Sequence, residues 1–220
     1  ENNMKSKVIV SAFTISLDGF GAGPNQSLEA PLGLRGNELH AWMLPTVMFQ
    51  RMLGNNGGTE GVDNDFAEQS MKDIGAWIMG RNMFGPKRGP WPEEEWNGWW
   101  GDNPPYHGPV FVLTHHARPT LEMEGGTVFH FETKGIEIAL QKAREVANGK
   151  SIRILGGADT IRQYLQAGHI DEIHFVISPI FLGSGEPLFT GLDIPGLGFN
   201  EIKRIEGEKG THIILGKSDP

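Results

Sequence analysis

Ser151-Ile152-Arg153-Ile154-Leu155 is a short apolar run that breaks at Gly156-Gly157, and a helical pattern opens at once with Ala158-Asp159-Thr160-Ile161. The segment reads as a strand feeding a helix through a turn too tight for side chains. Glycine reaches positive φ at little steric cost and lets a ligand approach the backbone. The helix behind it offers unpaired N–H groups and the positive end of its dipole. Such a turn suits a phosphate or pyrophosphate, and it suits equally well a plain corner between two elements. On this segment alone both readings stand.

The alternation recurs along the chain. Val8 to Phe13 has a buried-strand pattern, and Leu17-Asp18-Gly19 with Gly21 and Gly23-Pro24 turns it into a loop that runs to about Leu44. Phe66, Ala67, Ser70, Met71 and Ile74 fall near one face of a helix predicted over Asp65 to Ile74, ended by Gly75. Ala76 to Met79 is a short strand running into Gly80-Arg81-Asn82-Met83-Phe84, a second glycine turn that opens a helical segment. Strands follow at Val110 to Thr114 and Thr127 to Phe131, then a helix from Gly135 to Ala147 stopped by Asn148-Gly149. The glycine-turn strand comes next, with a helix from Ala158 to Ala167 and a strand from Ile170 to Ile177. Strands at Glu201 to Glu206 and Thr211 to Leu215 around Gly207 to Gly210 predict a closing antiparallel hairpin. The fold class is therefore α/β, with a mixed, mainly parallel sheet covered on both faces. In such sheets ligands bind outside the carboxyl ends of the strands, where the turns after Met79, Leu113 and Leu155 all lie.

A chain of 220 residues, 38% hydrophobic and 21% charged, is expected to form one domain over 1–220, with an ordered core from about 7 to 216. Its net charge of −8 argues against general affinity for nucleic acid or an anionic membrane, so any anion site has to be local. The absence of cysteine removes disulfides, thiol catalysis and cysteine-based metal sites. The first residues show no signal-peptide stretch and no run approaches membrane-spanning length, so a cytoplasmic protein is expected. Met4 is the expected native start, with Glu1-Asn2-Asn3 a remnant before it.

Leu17-Asp18-Gly19, Met79-Gly80-Arg81, Leu113-Thr114-His115 and Leu155-Gly156-Gly157-Ala158 occur in an order that resembles dihydrofolate reductase-like proteins. Ile170-Asp171-Glu172-Ile173-His174 followed by Leu182-Gly183-Ser184-Gly185-Glu186-Pro187-Leu188-Phe189 resembles the reductase domain of the bifunctional riboflavin-biosynthesis deaminase-reductase. The likeness runs from about Val8 to Leu215. It implies a three-layer α/β/α fold, NADPH as cofactor, a homodimer, and hydride transfer to a small heterocycle such as 5-amino-6-(5-phosphoribosylamino)uracil or a pterin. A dihydrofolate reductase proper and a nucleotide-binding domain without turnover are the alternatives.

Carried onto this chain, the resemblance implies that Gly80, Arg81, Asn82 and Met83 form one cofactor-binding element and Thr114 with His115 a second. Leu155, Gly156, Gly157, Ala158, Asp159 and Thr160 form the third. An arginine fork, a hydroxyl and successive amides after Gly156 are chemically apt for phosphate oxygens. Met83 stands where a hydroxyl residue is common, and His115 where a base is common; this bears on NADPH against NADH. Phe13, Thr14 and Ile15, with the loop from Asp18 to Gly23, would line the nicotinamide and substrate. Asp18 and Asp65 compete as the catalytic acid. Asp18 equally suits an Asx turn, and Asp65 a first-turn helix acid.

Trp91, Trp96, Trp99 and Trp100 crowd beside Glu93-Glu94-Glu95, as a substrate lid or as a cluster packing a loop onto the sheet or a second subunit. The acidic triplet itself reads as a solvated turn. His107, His115, His116 and His130 lack metal-ligand spacing, so no metal is expected. Ser184 lacks a nucleophile elbow. Arg153 and Arg162 are extra phosphate anchors or surface charges.

Overall fold

Val8, Val10 and Ile15 are buried along the first apolar run, which forms β1 (Val8–Ser16) at the middle of the sheet. The computed structural model describes residues 6–85, 87–92 and 96–217, so Met4 and the Glu93-Glu94-Glu95 triplet lie outside the described residues. After β1 come a 3-10 turn (Gly36–Trp42), α1 (Val47–Met52) and α2 (Val62–Gln69). Then follow β2 (Ile74–Gly80), α3 (Arg81–Phe84), β3 (Pro109–Leu113), β4 (Leu121–Glu122) and β5 (Val128–Glu132). The second half holds α4 (Ile136–Val146), β6 (Ser151–Gly156), α5 (Ala158–Gln166), β7 (Glu172–Ser178), β8 (Phe199–Glu206) and β9 (Thr211–Lys217).

Among the described residues these strands make one sheet in the order β4-β5-β3-β2-β6-β1-β7-β9-β8. The strands from β5 to β7 in that order run parallel, whereas β4, β9 and β8 pair antiparallel at the two ends. Alternation sorts the side chains between two layers. Ala76 and Ile78 of β2 join Ile152, Ile154 and the faces of α4 and α5 in one core, while Trp77 and Met79 join Val110, Val112 and Phe129 in another. The fold is the mixed α/β/α sandwich with a C-terminal hairpin that the pattern predicts.

The segment before β2 departs furthest from the sequence reading. The helix before β2 starts three residues earlier and ends at Gln69, and Ile74 and Gly75 belong to the strand. Ile74 continues the apolar period equally well as helix or strand, and short apolar runs do not separate the two. Gly75 stops nothing; a Cβ there would lie 2.3 Å from the Ala147 carbonyl oxygen, so it admits the end of α4 against the sheet. Within the loop after Asp18, Leu39 and Trp42 are fully buried, which is why a 3-10 turn forms there.

β1 carries a bulge. Val10 pairs with Ile173 and Phe13 with Phe175, so Ser11 and Ala12 oppose a single residue of β7, and Ala12 takes φ +55°. On its other side β1 pairs with β6 only at Val8 and Ile9. The two strands part beyond that point, toward their carboxyl ends.

Candidate functional site

Gly80 of β2 sits opposite Leu113 of β3, and Met79 opposite Gly156 of β6, so the three expected turns share one rim. A Cβ on Gly80 would meet Thr160 Oγ1 at 2.5 Å; one on Gly156 would meet the Phe13 ring at 2.9 Å and Met83 Sδ at 3.5 Å. Gly156 also has φ +135°, a region essentially closed to side chains. Gly157 is different: a Cβ there would have nothing within 4 Å. It is the N-cap of α5 and supplies no side-chain cap, so the first-turn amides behind it lack a capping side chain. Ala158 and Thr160 are buried and Asp159 is exposed, its carboxylate accepting from Gln163 Nε2 at 2.7 Å.

Arg81 begins α3 immediately after Gly80. Its guanidinium carbon lies 3.4 Å from the centroid of the Trp91 ring, and Nη1 donates to Thr114 Oγ1 at 3.1 Å. Nε and Nη2 are buried and make no hydrogen bond. Desolvation, with Arg118 nearby, shifts this guanidinium below its ordinary value. A positive fork is thus fixed by stacking and one hydroxyl, with donor capacity left over. Asn82 and Met83 are half-buried beside it and His115 is exposed.

Of the three β1 residues expected to line the rim, one side chain reaches it. Phe13 lies between Gly156 and Gly21, whose Cβ would come within 2.7 Å of the ring. Thr14 points through the opposite face and accepts from Trp42 Nε1 at 2.8 Å, and Ile15 is in the core under α4 and α5. Strand alternation puts Thr14 on that face.

Asp18 is a clamp between loops. Its carboxylate accepts from Ser16 Oγ at 2.6 Å, Leu182 N at 3.0 Å and Gly183 N at 2.6 Å, and these bonds hold its pKa down at about 2. A carboxylate so held carries no proton to give at neutral pH. The segment around Ser184 is sewn to the same loop: Gly21 N donates to Glu186 O, Glu186 N to Ala22 O and Leu188 N to Gly19 O.

Asp65 is exposed on the outer side of α2. The buried acid of that helix is Asp63, two positions earlier, 3% exposed and bonded to His212 Nε2 at 2.8 Å. No local signal distinguishes the two, since Asp63 finds its partners in the C-terminal hairpin.

The tryptophans pack the loop onto the sheet. Trp91 sits edge-on to Phe84 and Phe131 and donates to His116 O, Trp96 donates to Phe84 O, and Trp100 meets Phe49 of α1. Trp91 in addition forms the shelf for Arg81. Arg153 is neither an anchor nor a surface charge: it is buried, donating to Ser70 O and Ser11 O at 2.7 Å each. Arg162 reaches Thr190 O. Among the described residues no cluster of His, Asp and Glu has the geometry to hold a metal ion, and no helix is long and apolar enough to cross a membrane.

The RibD C-terminal domain family matches residues 7–209. The riboflavin biosynthesis protein RibD of Bacillus amyloliquefaciens is 34% identical over 118 residues, 43% of this chain and 32% of that protein, so the match spans about a third of the relative's length. A solved Shewanella sp. PV-4 structure described as a riboflavin biosynthesis protein superposes with TM-score 0.58 at 22% identity, covering 98% of this chain and all of that one. Dihydrofolate reductase from Enterococcus faecalis, solved with NADP(H), gives 0.53 at 14% identity over 98% of both chains. The structural likenesses establish a dihydrofolate reductase-like fold. With the family match running from the residue before β1 into the final hairpin, the chain belongs to the RibD C-terminal domain family.

Proposed function

We propose that the rim binds NADPH and that the protein is a reductase of the riboflavin-biosynthesis type, passing hydride to a small heterocycle of the class of 5-amino-6-(5-phosphoribosylamino)uracil or a pterin. The observation that carries this reading is Arg81, flat on Trp91 with two buried nitrogens unengaged, beside the uncapped start of α5. A 2′-phosphate on Arg81 and Thr114 would satisfy those donors; a pyrophosphate on the amides from Gly157 to Thr160 would meet the dipole of α5. NADPH, when bound, supplies the hydride. The protein positions the ring between Phe13 and the parted ends of β1 and β6, and excludes water with the paired loops at Gly19–Gly23 and Gly185–Leu188. His115, Asn82, Met83 and Leu155 border the cofactor in this reading.

Titration of NADPH and NADH by fluorescence against the parent and Arg81→Ala tests the site. Tight NADPH binding lost in the variant is expected; an unchanged affinity overturns the assignment. One observation favours a second reading, nucleotide binding without turnover: Asp18 is held as a carboxylate by three hydrogen bonds, and Asp65 is exposed on the outside of α2. Disappearance of NADPH absorbance with pyrimidine or pterin substrates separates the two. The expected homodimer is checked by light scattering.

A further inference from the structure

Beneath α2 lies a buried polar chain that the rim residues do not use. Ala12 N, the amide freed by the β1 bulge, donates to His174 Nδ1 at 3.0 Å; His174 Nε2 lies 3.0 Å from His212 Nδ1; His212 Nε2 lies 2.8 Å from Asp63 Oδ1. His174 and His212 are 4% and 1% exposed, and the Phe66 ring stacks on both, with centroids 4.7 and 4.2 Å away. The far end is anchored, because Asp63 Oδ2 accepts from Lys209 N and Glu208 accepts from Val62 N and Asp63 N at the start of α2.

The chain has one polarity. A backbone N–H can only donate, so His174 Nδ1 is an acceptor and its proton is on Nε2. His212 Nδ1 then accepts and its Nε2–H donates to the Asp63 carboxylate. Both rings are neutral in this arrangement, and an added proton on either sets donor against donor. A proton wire is excluded, since the chain ends on an amide that does not exchange its role. What the chain does control is the bulge. Ala12 N is held by His174 on one side, Ser11 O is held by Arg153 on the other, and the next residue is Phe13, whose ring lies against Gly156.

We propose that Asp63, His212 and His174 are positioning residues for the cofactor rim: the single-polarity chain fixes the Ser11–Ala12 bulge and thereby the Phe13 ring and the gap between β1 and β6. The proposal rests on the rim being the NADPH site. Loss of the acceptor at His174 leaves the Ala12 amide buried and unpaired, a penalty relieved when the bulge shifts and Phe13 moves with it.

The test is calorimetric titration of NADPH into the parent, His174→Phe and His174→Gln. Gln keeps an acceptor for Ala12 and a donor for His212; Phe keeps the ring shape and neither bond. His174→Phe is expected to weaken binding about tenfold and His174→Gln by less than about threefold. A folded His174→Phe that binds NADPH like the parent overturns the proposal while leaving the cofactor site standing. A parent that binds no dinucleotide overturns both. Should His174→Phe not fold, nitrogen-15 spectra of the parent's histidines decide: Nε2–H tautomers on both rings are expected, and an Nδ1–H on either overturns the chain.

Discussion

Exchanging His174 for Gln replaces a ring that titrates by an amide that does not, so the exchange reads out how strongly the fold holds that ring neutral. Burial, with His212 and Arg153 adding to it, lowers His174 in the folded protein from 6.5 to about 3. In the unfolded chain the ring returns to the ordinary range. Between those values the unfolded state binds the extra proton, so stability contributed by the neutral ring is present above 6.5 and drains away as pH falls toward 3. Across pH ~7.5 to ~5 the linkage relation gives about 2 kcal/mol for this one ring. The ionisable groups facing the two rings are Asp63, Glu206, Glu208 and Arg153. They are common to both proteins, as is His40, which burial lowers to about 4. Urea unfolding of the parent and His174→Gln at both pH values is the assay. The parent is expected to lose about 2 kcal/mol more than the variant on acidification. Equal losses, within about 0.5 kcal/mol, would refute the reasoning, since His174 would then titrate alike in both states.

Arg81→Ala is expected to cost about 1.5–3 kcal/mol of NADPH affinity and much less of NADH affinity, measured by fluorescence titration, because in the proposed site the lost bonds would be charge-assisted and directed at the 2′-phosphate. Gly157→Val should leave thermal unfolding almost unchanged yet abolish dinucleotide binding by calorimetry, since its side chain would enter only the open space before α5. Gly156→Ala should instead lose about 1–3 kcal/mol of stability by denaturant titration, from the forced φ +135° and the Phe13 ring. Asp18→Asn should leave the pH profile of turnover unmoved while speeding proteolysis in the 182–186 segment; loss of a limb of that profile would make Asp18 the acid after all.

The turns after β2 and β6 were legible because each is local: an apolar run, a glycine and a helical pattern lie within a dozen residues, while the turn after β3 is marked only by the end of its apolar run at Leu113-Thr114. The same locality located α4, α5 and the closing hairpin. The buried chain was illegible for the opposite reason, its three bonds joining residues 149, 38 and 162 positions apart. No periodicity announces that Asp63 rather than Asp65 turns inward, or that Arg153 serves the backbone of β1 and α2. The bulge in β1 was equally hidden. Its freed amide and carbonyl are satisfied by side chains from β7 and β6, and only the assembled sheet shows that they are at hand.

Reciprocal bonds stitch residues 19–22 to 186–188, and Asp18 adds a second stitch to Leu182 and Gly183. The two loops are thereby one mechanical piece. A motion that lifts the first loop drags the second along, so a cross-link placed in either should arrest both.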